Sequence, residues 1–440
     1  MSSSPRPWLS DNAQSFYNAH ASRYRDLSTG ALEHVLLEHL ANHERHYDHE
    51  CLPLYAGTNM PNPKVTALLG SSLGSRPNLG HPGDKFNRGM AHAEGLEVML
   101  TELLKRLFKA PYAEYRVGSG SLANLYTFMA TCKPGDTLMA FADAAAGHVT
   151  HHEAGAAGLY GLKIHDVPFD PLRMDIDVAG LKERARELRP KLIIVAGSMC
   201  LFPYNLRAVR EVADEVGAFV LYDAAHMGGI IAGGAFQQPL EEGADVMTGS
   251  TYKSFGGPPS GFIVTTSAVL AERLDRIAFP GLTANFDLSR TAAMILAVLD
   301  LLEHGPAYAE MCIRNAQALA QALADAGVVV FEVPGRGFTA SHHVAVLSAP
   351  YGGGDKATKR LEAANILTSG INLPLDPLPN DANALRLGTQ ELTRWGMKPE
   401  DMTTVAGLMA RVLVQNEAPE SVVEDVRAFR SDFQEIRFVR

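Results

Sequence analysis

Cysteine is scarce in this 440-residue chain: Cys51, Cys132, Cys200 and Cys312 lie far apart, and no two form a Cys-x-x-Cys pair. That spacing speaks against a disulfide framework and against a structural zinc site, and reduced thiols in a cytoplasmic protein are expected. No apolar run reaches the roughly 18 residues that a membrane-spanning helix needs, so no membrane partner is expected. The opening Met1-Ser-Ser-Ser-Pro-Arg-Pro-Trp8 has no apolar core of a secretory signal. Positive charge is also short. With 39 Lys and Arg against 49 Asp and Glu, the net charge is −10, which argues against nucleic acid as the main partner. Internal repeats and low-complexity segments are missing too.

What is present is the composition of an ordinary globular enzyme, 46% hydrophobic and 20% charged. The length exceeds what one core usually holds, which predicts a large domain and a smaller one. Residues 1–50 read as an arm, helical between Gly30 and His46, 51–290 as a large α/β domain, and 291–440 as a smaller α+β domain.

Glu97, Met99, Leu100, Leu103, Leu104, Leu107 and Phe108 recur at helical spacing. Thr137 to Phe141 follows a Lys-Pro-Gly-Asp turn and reads as a buried strand, as does Leu192 to Ala196. A helix comes next, with Leu206, Val209, Val212, Ala213 and Val216 on one side and Gly217 at its C′ position. Ala218 to Tyr222 is the following strand, and this strand–helix–strand spacing predicts a parallel sheet with right-handed crossovers. Phe262 to Thr266 adds a strand. Beyond 290 a helix is expected from Thr291 to His304, with an amphipathic stretch from Pro399 to Val414 near the end.

Several short stretches carry chemistry. Gly118-Ser-Gly-Ser-Leu-Ala-Asn124 is a strand-to-helix turn whose small residues leave backbone N–H groups free, so Ser119, Gly120 and Ser121 could hold a phosphate. Gly147-His-Val-Thr-His-His152 offers His148 as a ring to stack on a flat aromatic group; a solvated loop and a metal site are the rivals. Asp223, just past a buried strand, could pair with a protonated pyridine nitrogen, with His226 over the same face. A helix-capping aspartate with a satisfied histidine is the alternative. In Ser250-Thr-Tyr-Lys-Ser-Phe-Gly-Gly-Pro-Pro-Ser-Gly261, Lys253 sits among small and hydroxyl residues where a solvated surface lysine fits poorly, and a desolvated amine can form an imine. Arg386, in an apolar run ending at Thr389, is expensive unless it meets an anion: a substrate carboxylate, or else a structural salt bridge.

Taken in this order along residues 50–415, these motifs resemble the serine hydroxymethyltransferase family of fold-type-I pyridoxal 5′-phosphate (PLP) enzymes. The likeness is strongest in Val212 to His226, Ala244 to Lys253 and Arg386 to Thr389. It implies an aspartate aminotransferase-like α/β large domain with a mainly parallel sheet, plus the smaller C-terminal domain. It further implies that Ser119, Gly120 and Ser250 bind phosphate, His148 stacks on the ring, Asp223 pairs with the pyridine nitrogen and His226 lies near the ring oxygen. Lys253 would carry the internal aldimine, Arg386 would hold the substrate carboxylate, and Gly257 would reach the phosphate of a neighbouring subunit. A homodimer or dimer of dimers is implied.

The substrate-access segment departs from the family. Pro77 and Leu79 stand where a tyrosine and a proton-handling glutamate belong, and Phe86-Asn87 replace a tyrosine pair. Gly57 and Thr58, in Ala56-Gly-Thr-Asn59, stand where the family has Ser-Glu, and Tyr252 replaces a histidine. Cofactor residues are kept while substrate residues change. The implied activity is Cα–Cβ cleavage or formation on a β-hydroxy amino acid of the serine, α-substituted serine or threonine type, by a folate-independent aldolase or a hydroxymethyltransferase, with an amino acid and an aldehyde as partners. Loss of the glutamate speaks against dependence on tetrahydrofolate. Threonine transaldolase and folate-dependent hydroxymethyltransferase are alternatives, followed by an aminotransferase or decarboxylase, a non-catalytic PLP-fold protein, and a zinc hydrolase on His148, His151 and His152.

Overall fold

The computed structural model describes residues 6–440, which divide into a unit ending at Cys51 and a unit Leu52–Arg440. In the first, helices α1 (Asp11–Tyr24) and α2 (Thr29–His43) are capped by Ser10 and Ser28, and a π-helical turn, Glu44–Glu50, follows. The hydroxyl of Tyr24 joins them, 2.9 Å from both His20 Nδ1 and His39 Nε2. No residue of either helix is buried.

The second unit is built on a seven-stranded open sheet. In chain order its strands are β1 (Tyr112–Val117), β2 (Thr137–Ala140), β3 (Lys163–Asp166), β4 (Leu192–Val195), β5 (Phe219–Asp223), β6 (Val246–Ser250) and β7 (Gly261–Thr265). Their order across the sheet is β1-β7-β6-β5-β4-β2-β3. From β6 to β3 all neighbours are parallel, while β7 runs antiparallel to both β6 and β1. β4 is buried along its whole length, as expected of a strand covered on both faces. This is the α/β fold the sequence predicts.

Helix α3 (Ala91–Phe108) buries Leu100, Leu104, Leu107 and Phe108, and α4 (Gly120–Thr131) begins directly after β1. Helix α5 (Leu206–Val216) links β4 to β5, capped by the Asn205 side chain and ended by Gly217 at φ 73°.

The helix expected over Thr291 to His304 is instead α6 (Leu288–Asp325), 38 residues long with Pro306 inside it. Gly305-Pro306 reads as a stop because proline removes one backbone donor. Burial outweighs that loss: Tyr308, Ala309, Cys312, Ala316, Leu319, Ala320 and Leu323 continue the apolar stripe past it. Up to Cys312 those side chains belong to the core around the main sheet; from Ala316 they belong to a second core. The expected domain boundary at 290 therefore falls inside a helix that serves both cores. The second core covers an antiparallel sheet of β8 (His343–Leu347), β9 (Ser369–Ile371) and β10 (Ala384–Gly388), β10 central, and includes side chains of α7 (Met402–Leu413) and α8 (Pro419–Arg430). Leu52 and Pro53 pair in parallel with Ile366 and Leu367. No helix among the described residues is long and apolar enough to cross a membrane.

Candidate active site

The site lies past the carboxyl ends of β5 and β6, where open α/β sheets place ligands. Asp223 closes β5 and is buried. Its Oδ2 accepts from Asn124 Nδ2 and His151 Nε2, both at 2.9 Å, and its Oδ1 from the Ala225 backbone N–H at 2.9 Å. Burial alone would raise the carboxyl pKa; the His151 hydrogen bond and charge outweigh it and hold the group well below the usual carboxylate range. Asp223 is an ionised, anchored carboxylate. Since His151 donates to Asp223, Asn124 has its second N–H for Thr150 Oγ1 at 3.0 Å, while its own oxygen accepts from Thr248.

Thr150 passes this order on. Its backbone N–H donates to His148 Nδ1 at 3.3 Å and its hydroxyl lies 2.8 Å from the same atom. His148 Nδ1 is thus the acceptor and Nε2 carries the hydrogen. Burial lowers the His148 pKa to about 4, so the ring is neutral at physiological pH.

His226 has the opposite tautomer. Its Nδ1 is 3.2 Å from the Ala56 carbonyl oxygen, which can only accept, so Nδ1 bears the hydrogen. The Nε2 lone pair then faces Lys253 Nζ at 3.0 Å and Arg386 Nη1 at 3.3 Å. Burial, with the nearby Lys253 and Arg386 charges, drives the His226 pKa well below its ordinary value. Lys253 is itself pushed down to about 8, chiefly by burial, with Arg386 adding to the effect and Asp223 opposing it.

Arg386, on β10, is the counterpart from the smaller sheet. It donates to the Ser198 carbonyl at 2.5 Å and to Ser369 Oγ at 3.3 Å, and its buried Nε has no hydrogen-bond partner among the described residues. No carboxylate among the described residues forms an ion pair with it. His148, His226, Tyr252, Lys253 and Arg386 share with Tyr55 the wall of one cavity of about 280 Å³. A cavity of about 390 Å³ beside Arg116 and Asp275 gathers none of these groups.

The serine hydroxymethyltransferase family profile matches residues 33–409. The chain belongs to that family. An α-methylserine aldolase of a Ralstonia species is 45% identical over 435 residues, covering 99% of each chain. A serine hydroxymethyltransferase of Methanocella arvoryzae is 40% identical over 389 residues, covering 88% of this chain and 92% of the relative. Among solved structures, L-threonine transaldolase from Pseudomonas fluorescens in its internal aldimine state superposes with a TM-score of 0.84 at 28% identity, over 93% of this chain and 94% of that one. The protein is accordingly an α/β PLP-dependent enzyme of the serine hydroxymethyltransferase family.

The residues present fit that cofactor. Lys253 supplies a buried amine, Asp223 an ionised carboxylate, and the start of α4 a cradle for phosphate. Ser119 caps α4, accepting from the Leu122 N–H at 3.2 Å, and Gly120 packs so tightly on Ser250 that a Cβ there would stand 2.1 Å from the serine oxygen. Any larger residue there would force the Ser250 hydroxyl to turn away. Ser121, by contrast, is exposed. Gly257 is buried against Ala297 and does not line the cavity, and its role toward a neighbouring subunit's phosphate stays a proposal. Phe86 is 76% exposed and Asn87 is occupied by the Leu79 N–H at 3.1 Å; neither lines the cavity. The three-histidine zinc alternative has no such arrangement behind it: His151 is held on Asp223, and no metal-binding cluster of His, Cys, Asp or Glu occurs among the described residues.

Reading the sequence missed Asn124, Thr150, Ser198, Tyr55 and the His342-His343 pair. Asn124 had a signal, because a buried amide inside the apolar run Leu122 to Ala130 needs partners. His343 is fully buried, its ring centroid 5.3 Å from that of His226, with Nδ1 accepting from the Cys200 N–H at 3.2 Å.

Proposed function

We propose that the protein is a folate-independent aldolase that cleaves an α-substituted serine, of which α-methylserine is the simplest, into an aldehyde and the shortened amino acid. One observation carries this reading: an arginine with no acidic partner among the described residues, a lone-pair imidazole nitrogen and a buried lysine line one small cavity. When bound, PLP supplies an aldehyde that captures an amine and a pyridinium ring that draws electrons from Cα.

The chain's own residues supply the rest. Arg386 holds the carboxylate and so fixes which bond at Cα faces the ring. Asp223 keeps the pyridine nitrogen protonated. His226 Nε2 takes the proton of the β-hydroxyl as the Cα–Cβ bond breaks, while His148, with its hydrogen on Nε2, presents a donor. Lys253 returns a proton to Cα. A relative named α-methylserine aldolase at 45% identity supports the choice of substrate, and Leu79 in place of a glutamate supports independence from folate. The likeness to a threonine transaldolase supports a second reading, in which the glycyl part of threonine passes to another aldehyde. A homodimer or dimer of dimers in the cytoplasm accompanies both.

The test is aldehyde release from serine, α-methylserine, threonine and phenylserine, with and without tetrahydrofolate. Formaldehyde from α-methylserine without folate is expected, and His226→Asn should lower kcat by about 10²–10⁴-fold. Release that requires folate would overturn the reading.

A further inference from the structure

Arg386 leaves part of the cavity's anion site undefined. Its guanidinium spends donors on Ser198, Ser369 and the His226 lone pair, and retains a buried Nε–H with no partner among the described residues. A carboxylate arriving there has two oxygens and several lone pairs to satisfy, more than one fork of N–H groups fills.

Tyr55 stands beside it. The centre of its ring is 5.9 Å from Arg386 Cζ, both residues line the same cavity, and its hydroxyl makes no hydrogen bond with another described residue. The ring is placed by its neighbour at one remove. A Cβ on Gly57 would fall 2.8 Å from Tyr55 Cε1 and Cζ and 3.0 Å from its hydroxyl oxygen, so the phenol occupies the volume that any side chain at 57 would claim. Tyrosine at 55 and glycine at 57 are therefore one feature: the absent side chain leaves room for the ring, and the ring lines the cavity with its centre 5.9 Å from the arginine's Cζ.

We propose that the Tyr55 hydroxyl is the second carboxylate-binding group of this site, donating its hydrogen to the substrate carboxylate alongside Arg386. This rests on reading the cavity as an amino-acid site. Tyr55 acts in binding and is not assigned a proton-transfer step.

The experiment uses the PLP-loaded enzyme and equilibrium calorimetry with two ligands. Alanine carries a carboxylate but no β-hydroxyl, so no Cα–Cβ cleavage follows its binding; isopropylamine keeps the amine and replaces the carboxylate with a methyl group. A hydrogen bond to a charged group corresponds to roughly a ten-fold or greater change in affinity. Tyr55→Phe is expected to weaken alanine by about that factor and to leave isopropylamine unchanged. Gly57→Ala, which retains the hydroxyl but displaces the ring, is expected to show the same carboxylate-selective loss, and it reads the proposal independently should the first variant fold poorly. Unchanged alanine affinity, or an equal loss for both ligands, would overturn it. Because this readout involves no turnover, failure of wild-type enzyme to release aldehyde would count against the proposed function and leave the binding result standing.

Discussion

At the scale of single residues, the site works by burying groups that water would keep charged. Lys253 is the clearest case, its ammonium destabilised by burial until the pKa stands at about 8, so that neutral amine is available near physiological pH. Lys253→Ala is expected to abolish steady-state aldehyde release and covalent retention of PLP. Borohydride reduction followed by peptide mapping checks this, and turnover at the wild-type rate would contradict it. The histidines follow the same physics with a consequence for stability. His148 titrates at about 4 and His342 at about 3, both lowered by burial, against about 6.5 in an unfolded chain. Between those limits the unfolded state binds more protons, so the stability these two rings contribute is full above about pH 6.5 and is lost as pH falls toward 4 and 3. Melting temperatures of the apo-protein from pH 7.5 to 4.5 should therefore decline, and His342→Gln should flatten the decline. A pH-independent melting temperature across that window would show that these rings are not held neutral.

At the scale of elements, α4 does two jobs from one terminus. Ser119 satisfies an N–H of its own helix while Gly120 brings the first turn against Ser250, so the cap that starts the helix also shapes the turn proposed to hold the phosphate. Ser119→Ala is expected to cost about 1 kcal/mol in urea-unfolding free energy. The same variant should weaken PLP binding, read by absorbance titration; an intact PLP affinity would separate the cap from the cradle. The start of α4, the Asp223 strand and the Lys253 turn were legible because each combines a hydrophobic period with turn or cap residues at fixed offsets. The length of α6 was not, since Gly305-Pro306 is a local stop signal that only long-range burial overrides. The antiparallel sense of β7 was equally hidden: a buried run of Phe262 to Thr265 reads the same in either direction.

At the scale of the whole molecule, two cores and one shared helix bring Arg386 on β10 to within 3.3 Å of His226 after β5, although 160 residues separate them. The surface remains unusually apolar in places. Leu36, Leu37 and Leu40 of α2 are more than half exposed, as is Phe86 in the segment before α3. We expect such faces to be covered by a second copy, and sedimentation equilibrium should report at least twice the monomer mass. A monomer at micromolar concentration would refute this. Leu36→Glu with Leu40→Glu should weaken the assembly.

The sequence by itself determined the α/β class, the order of strands and helices around Asp223 and Lys253, and the residue types that PLP chemistry calls for, because periodicity, caps and turns are local properties. Tertiary structure alone decided which of those residues meet. It set the tautomers of His148 and His226 through Thr150 and the Ala56 carbonyl, placed His151 and Asn124 on Asp223, and turned Tyr55 over Gly57 beside an arginine with no acidic partner among the described residues. Hydrogen-bond direction and burial depend on groups hundreds of residues apart, and no pattern within a short window records them.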